Sequence, residues 1–161
     1  MTRKLAALSL CIFFASPMTA TADENEGRRL AELAFASVDS ADRGFIDMGE
    51  FTNFGTDVFV SMDSDDSGKI SLEEYLAWDY GMASVAEDRN RVDAYETALR
   101  IVFAFRDRDG NGEISKTEHR QSMNFDFQRA DLNGDAILTE REFLDGFPVM
   151  VALRAALDPD L

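Results

Sequence analysis

Asp107-Arg108-Asp109-Gly110-Asn111-Gly112-Glu113-Ile114-Ser115-Lys116-Thr117-Glu118 is the stretch on which the reading of the whole chain turns. Side chains that carry oxygen fall at positions 1, 3, 5, 9 and 12, with glycine at 6 and isoleucine at 8. A hard divalent cation such as Ca²⁺ takes six to eight oxygens at about 2.3–2.6 Å. Asp107, Asp109 and Asn111 offer side-chain oxygens and Glu113 its backbone carbonyl, Ser115 completes the shell through a water, and Glu118 offers both carboxylate oxygens. Gly112 stands where the chain must turn sharply with φ > 0, which costs glycine little. Ile114 faces away from the ion and anchors the loop to a hydrophobic neighbour. A merely solvated acidic turn would not hold all seven determinants in register.

The same frame recurs three more times. Residues 63–74 fill every position: Asp63, Asp65 and Ser67 at 1, 3 and 5, Gly68 at 6, the carbonyl of Lys69 at 7, Ile70 at 8, Ser71 at 9 and Glu74 at 12. Residues 131–142 supply Asp131, Asn133, Asp135, the carbonyl of Ile137, Thr139 and Glu142. Their sixth position is Ala136, which costs roughly 1 kcal/mol more than glycine in a left-handed conformation, so weaker binding is expected there. Residues 39–50 keep Asp39, Gly44, Ile46, Asp47 and Glu50 but place Ala41 at 3 and Arg43 at 5. A permanent cation where a ligand should stand predicts a degenerate loop that binds no metal, with Arg43 paired to Asp39 or Glu50.

The chain of 161 residues is long enough for one domain with a modest core. Residues 1–22 read as a signal peptide: Arg3 and Lys4, an apolar run from Leu5 to Ala15, and Ala20-Thr21-Ala22 as the cleavage site. Cys11 would leave with it, so residues 23–161, read as a single domain, would contain no cysteine and no disulfide. Taking Arg3 and Lys4 from the 16 basic residues leaves 14 against 31 acidic ones, a formal charge of −17. Such a surface repels nucleic acid and anionic lipid and attracts multivalent cations. No membrane association is expected after cleavage, and the expected location is the periplasm or the medium.

Apolar spacing predicts helices over Asp23–Val38, Leu72 to about Met82, about Arg91 to Phe105, and about Glu140 to Leu157. Loops one and two start 24 residues apart, and so do loops three and four, which leaves twelve residues between them. Twelve residues make one helix of about 18 Å. Adjacent loops should therefore share a single helix whose ends hold them apart, unless Gly55 breaks the first. By contrast, 32 residues separate Glu74 from Asp107, room for two helices and a turn. Loop two should then pair with loop three through Ile70 and Ile114, and loop one with loop four through Ile46 and Leu138. The expected fold is all-α, a helix–loop–helix array in which adjacent units share helices and short β-bridges join the paired loops.

These loops resemble those of the EF-hand superfamily, and the resemblance implies four hands and calcium binding. The short intervals and leader resemble secreted or periplasmic bacterial EF-hand proteins, and more distantly the lanmodulin family, which binds lanthanides. Lanmodulin loops typically carry proline at position 2 and aspartate at position 9. Here those positions are Ser64, Arg108 and Leu132, and Ser71, Ser115 and Thr139. A Ca²⁺ sensor or adaptor would expose an apolar groove for a protein target, lined by residues such as Phe51, Phe54, Phe59, Met62, Met123, Phe125, Phe127, Phe143, Phe147 and Met150. The competing reading makes those side chains core, and the protein a Ca²⁺ buffer or a metal-stabilised structural module. No nucleophile–base pair or zinc-ligand pattern is present. His119, which directly follows Glu118, reads as a helix residue beside its loop, and no enzyme is expected.

Overall fold

The computed structural model describes residues 32–158. Residues 1–22, read as a signal peptide, Cys11 among them, the first residues of the helix expected from Asp23, and Pro159 lie outside them. Helix α1 (32–38) leads into the first loop, strand β1 (Phe45–Asp47) and helix α2 (Met48–Met62). Strand β2 (Lys69–Ser71) follows, then α3 (Leu72–Ala77), α4 (Ala83–Asp88) and α5 (Val92–Arg106). Strand β3 (Glu113–Ser115) leads into α6 (Lys116–Ala130), and β4 (Ile137–Thr139) into α7 (Glu140–Gly146) and α8 (Pro148–Leu157).

The strands pair as the loop spacing requires. β2 lies antiparallel to β3 with Ile70 opposite Ile114, and β1 antiparallel to β4 with Ile46 opposite Leu138. All four of these side chains are fully buried. Each short ladder therefore backs two loops with one apolar pair. The helices between adjacent loops, α2 and α6, are single and unbroken, and they pack along each other. Gly55 does not break α2. It sits on the α2–α6 seam, where a Cβ would meet the Cγ and Cε of Met123 at 2.9 Å. The glycine serves close approach between helices, not flexibility.

Two expected helices are shorter than their apolar spacing implied. The helix starting at Leu72 stops at Ala77, because Asp79 Oδ1 accepts the Gly81 N–H at 2.7 Å in a turn that takes Gly81 to φ +76°. A separate short helix, α4, fills residues 83–88, so three helices, not two, join loop two to loop three. The helix expected from Glu140 to Leu157 divides at Phe147. Pro148 is the first residue of α8 and holds its predecessor extended, at ψ 114°.

Buried apolar side chains form one cluster. Phe51 packs edge-on against Phe127 and Phe147 at 5.5 and 5.3 Å, and Phe143 joins Phe147 at 5.4 Å. On the other side Tyr75 lies edge-on to Phe103 at 5.4 Å. Of the groove candidates, Phe51, Phe59, Met62, Met123, Phe127, Phe143, Phe147 and Met150 are core. Phe54 is half-buried against that core, and Phe125 is exposed. Among the described residues no helix is long and apolar enough to cross a membrane.

Candidate metal centres

The backbone of all four loops follows one template. Position 4 takes positive φ in each, at Asp42, Asp66, Gly110 and Gly134, and so does position 6, at Gly44, Gly68, Gly112 and Ala136. Ala136 at φ +65° carries the strain expected of it. The first residue of each loop then gathers amides that the turn points inward. Asp107 accepts the N–H groups of Asn111 (3.0 Å) and Gly112 (2.8 Å), and Asp63 accepts that of Gly68 (2.9 Å). Asp131 accepts those of Asp135 (3.2 Å) and Ala136 (3.0 Å).

The ninth and twelfth positions close each loop and also start the following helix. Ser71, Ser115 and Thr139 are the N-caps of α3, α6 and α7, and each forms a capping box with Glu74, Glu118 or Glu142. Asp47 and Glu50 do the same for α2. The serine and threonine hydroxyls donate to the glutamate at 2.9, 2.7 and 2.8 Å. The glutamate's other oxygen reaches back across the loop. Glu74 Oε1 accepts the Ser64 N–H at 2.9 Å, and Glu118 Oε1 that of Arg108 at 2.9 Å. These bonds hold the carboxylates ionised. The Ser71 amide, with hydroxyl and amide donors from Ser71 and Ser64, takes Glu74 down to about 2, and Ser115 holds Glu118 below the usual glutamate range. Thr139 does the same for Glu142.

In loops two and three the carboxylates converge. Oxygens of Asp63, Asp65 and Glu74 lie within 4.8 Å of one another, as do those of Asp107, Asp109 and Glu118. Oxygens that share one ion at about 2.4 Å cannot lie farther apart than about twice that distance, so both triads fit a single Ca²⁺. The carbonyl of Lys69 accepts the Ser67 hydroxyl at 3.2 Å, which places two further oxygens side by side. The side chains of Lys69 and Glu113, each at position 7, pair across the β2–β3 ladder at 2.5 Å.

Among the described residues, Asp131, Asp135 and Glu142 do not form such a triad. Asp135 is engaged by its own loop, accepting the Asn133 amide at 3.0 Å and the Ile137 N–H at 3.1 Å. Nor do Asp39, Asp47 and Glu50. There the guanidinium of Arg43 bridges Asp47 Oδ2 (2.6 Å) and Glu50 Oε2 (2.5 Å). Glu50 was an expected partner of Arg43, but Asp39 is not one: its carboxylate is taken by the backbone N–H groups of Arg43 and Gly44 at 2.9 and 2.7 Å.

Two buried groups near these loops escape a reading by loop register. Arg106, directly before Asp107, is buried and donates to Asp126 Oδ2 at 2.8 Å, joining α5 to α6 beneath loop three. Its neighbour across the seam is His119, whose Nε2 donates to the Gly55 carbonyl at 2.8 Å while its ring lies edge-on to Phe59 at 5.3 Å. Burial, with the Arg106 charge adding to it, pushes His119 down to about 4, so the ring is neutral at physiological pH. The capping boxes did leave a sequence signal: Asp47-x-x-Glu50, Ser71-x-x-Glu74, Ser115-x-x-Glu118 and Thr139-x-x-Glu142.

Helices flanking acidic twelve-residue loops, paired by short ladders, define a helix–loop–helix cation-binding protein. The EF hand family model matches residues 56–77, which take in the end of α2, the loop from Asp63 to Glu74 and α3. This match, together with the two carboxylate triads, supports an EF-hand superfamily calcium-binding protein. Among curated proteins, none matches it in sequence.

Proposed function

We propose that this is an exported calcium-binding protein built from four EF hands, in which loops two and three form a coupled strong pair, loop four is a weaker third site and loop one holds no metal. The observation that carries this reading is the convergence of Asp63, Asp65 and Glu74, and of Asp107, Asp109 and Glu118, on loops joined back to back through Ile70 and Ile114. Asn111 and Ser67, with the carbonyls of Lys69 and Glu113, complete those two shells. Asp131, Asn133, Asp135, the Ile137 carbonyl and Glu142 form the third. Bound calcium would supply charge neutralisation and a fixed link between the helices on either side of each loop. The chain's own residues set the loop backbone, orient the glutamates through the capping boxes and keep them ionised.

Its role is that of a buffer or metal-stabilised module rather than a sensor. The apolar side chains flanking the loops are spent on one core, which favours a protein that does not open a groove. Export follows from the leader read in residues 1–22, and outside the cytoplasm modules work at about 10⁻⁴–10⁻³ M calcium. Catalysis is no part of this reading. Isothermal titration of the purified protein with Ca²⁺, Mg²⁺ and La³⁺ tests it: two tight Ca²⁺ steps and one weaker step are expected. A single Ca²⁺ equivalent would overturn the site assignment. Tighter binding of La³⁺ with no measurable Ca²⁺ step would favour the lanthanide alternative. Strong calcium-induced binding of a hydrophobic dye would restore the sensor.

A further inference from the structure

The degenerate first loop is not a relaxed loop. It keeps the hydrogen bonds of the metal-binding template one by one. Position 1, Asp39, accepts the amides of positions 5 and 6 at 2.9 and 2.7 Å, as Asp107 does in loop three at 3.0 and 2.8 Å. Position 12, Glu50, accepts the amide of Asp47 at 3.1 Å and that of Ala41 at 3.1 Å, matching Glu118 with Ser115 at 2.9 Å and Asp109 at 3.3 Å. Without a cation, Asp39, Asp47 and Glu50 would repel one another in this geometry. Arg43 supplies that cation from position 5, where its Nη2 reaches the carboxylates of Asp47 and Glu50 at once. The guanidinium also lies over the ring of Phe45, 4.4 Å from its centroid.

Phe45 begins β1, and its register partner is Thr139 of β4. Thr139 caps α7 and orients Glu142, the last residue of loop four. We propose that Arg43 is a tethered cation that holds loop one closed at every calcium concentration and so keeps β1 ordered as a template for loop four. The weaker third site then sits beside a partner already in its bound geometry. Loops two and three, by contrast, must order each other. In this arrangement Arg43 is a positioning residue for calcium at loop four. This consequence rests on loop four being a calcium site, as proposed above.

Two measurements separate the proposal from that reading. In EDTA, amide hydrogen exchange of Ile46 and Leu138 should speed up about tenfold in Arg43→Ala, within the usual range of coupling between sites, while Ile70 and Ile114 keep their protection. In a Ca²⁺ titration followed by amide NMR, the affinity read at Leu138 should fall about tenfold in Arg43→Ala, with Ile70 and Ile114 unaffected. Arg43→Lys keeps the charge but loses the planar group stacked over Phe45, and should fall between the native protein and Arg43→Ala. Unchanged exchange at Ile46 and Leu138 in Arg43→Ala would overturn the proposal whatever loop four binds. So would a loop-four affinity equal to that of the native protein. A native Leu138 signal that never responds to Ca²⁺ would instead overturn the third site and, with it, the role of Arg43 toward calcium.

Discussion

Replacing Arg106 by methionine tests how the helices around loop three are held. Arg106 and Asp126 are buried together, their side chains 6% and 13% exposed, with Nη2 and Oδ2 2.8 Å apart. Removing the arginine leaves a carboxylate that water barely reaches. Breaking a buried pair in this way costs about 3–5 kcal/mol, a large share of the roughly 5–15 kcal/mol that holds a domain together. At about 2–4 °C per kcal/mol for a chain of this size, the melting temperature should drop by about 6–20 °C. The double substitution Arg106→Met with Asp126→Leu should recover most of the loss, because a packed apolar pair avoids the desolvation that both charges suffer. Acidity supplies an internal check. Burial holds the Asp126 carboxyl above its ordinary range in the native fold, so the native state binds its proton more readily than the unfolded state does. Stability from this group is highest below the unfolded value and falls as pH rises through the folded one. Without Arg106 that window moves upward, and the single variant should regain stability on mild acidification while the double variant does not. Urea unfolding in EDTA, followed by circular dichroism at several pH values, measures all of this. A single variant that loses less than about 1 kcal/mol, or a double variant no better than the single, would refute the reasoning.

Ala136→Gly should relieve about 1 kcal/mol of left-handed strain and tighten Ca²⁺ at loop four about fivefold; an unchanged affinity in titration calorimetry would show that the strain is equal in the free and bound loop. Glu118→Gln should remove one tight step and weaken loop two by about 5–150-fold through the β2–β3 ladder, whereas independent loops would leave the Asp63–Glu74 site untouched. Gly146→Ala should destabilise the fold by about 1–3 kcal/mol, since the new Cβ would lie 2.5 Å from Ala130 Cα in backbone that cannot step aside; a thermal melt reads it, and a stable variant would mean that α7 and α6 part easily. The metal-free protein should lose stability as pH falls from the ordinary glutamate range towards about 2, because Glu74, Glu118 and Glu142 are all held low in the fold; acid unfolding confined to higher pH would contradict their capping role.

Loop register and loop spacing were legible from the chain because each rests on covalent geometry. A twelve-residue ligand frame fixes which carboxylates meet, and the alternation within a three-residue strand fixes that Ile70 and Ile114 point the same way. Helix ends were less legible. Trp78 and Phe147 sit inside apolar periodicity that reads straight through them, yet Gly81 and Pro148 set local backbone preferences that outweigh it. Gly55, the one residue that put the first shared helix in question, lies inside an unbroken α2, and its meaning is in Met123 on another helix. Loop register placed Arg43 beside Glu50 but not Asp47, and the partners of Arg106 and His119 depend on which rotamers a packed seam permits, which no spacing rule carries. The capping boxes are written in plain sequence, but Ser71, Ser115 and Thr139 each serve two ends, the ninth loop position and the helix N-cap, and the ligand frame expresses only the first.

The interval between loops decides more than topology. A helix of 15 residues, such as α2 or α6, is about 22 Å long, and it holds the loops at its ends too far apart to share a ladder. The chain can satisfy its strand edges only by joining the two inner loops across the α3–α4–α5 connection and leaving the outer two to each other. The pairing then sorts the defects. The two complete loops face each other, so under the proposed site assignment the coupling between them would be one of calcium with calcium. The loop that carries Arg43 faces the loop that carries Ala136, so one defect adjoins the other. A fixed cation in the first can steady a backbone strained in the second, but it has no ladder through which to act on the Asp63 loop, although that loop lies just one helix away along the chain. Had the interval been long enough for two helices, loop one would have paired with loop two, and the same arginine would have stood beside a loop with glycine at position 6 and no strain to steady.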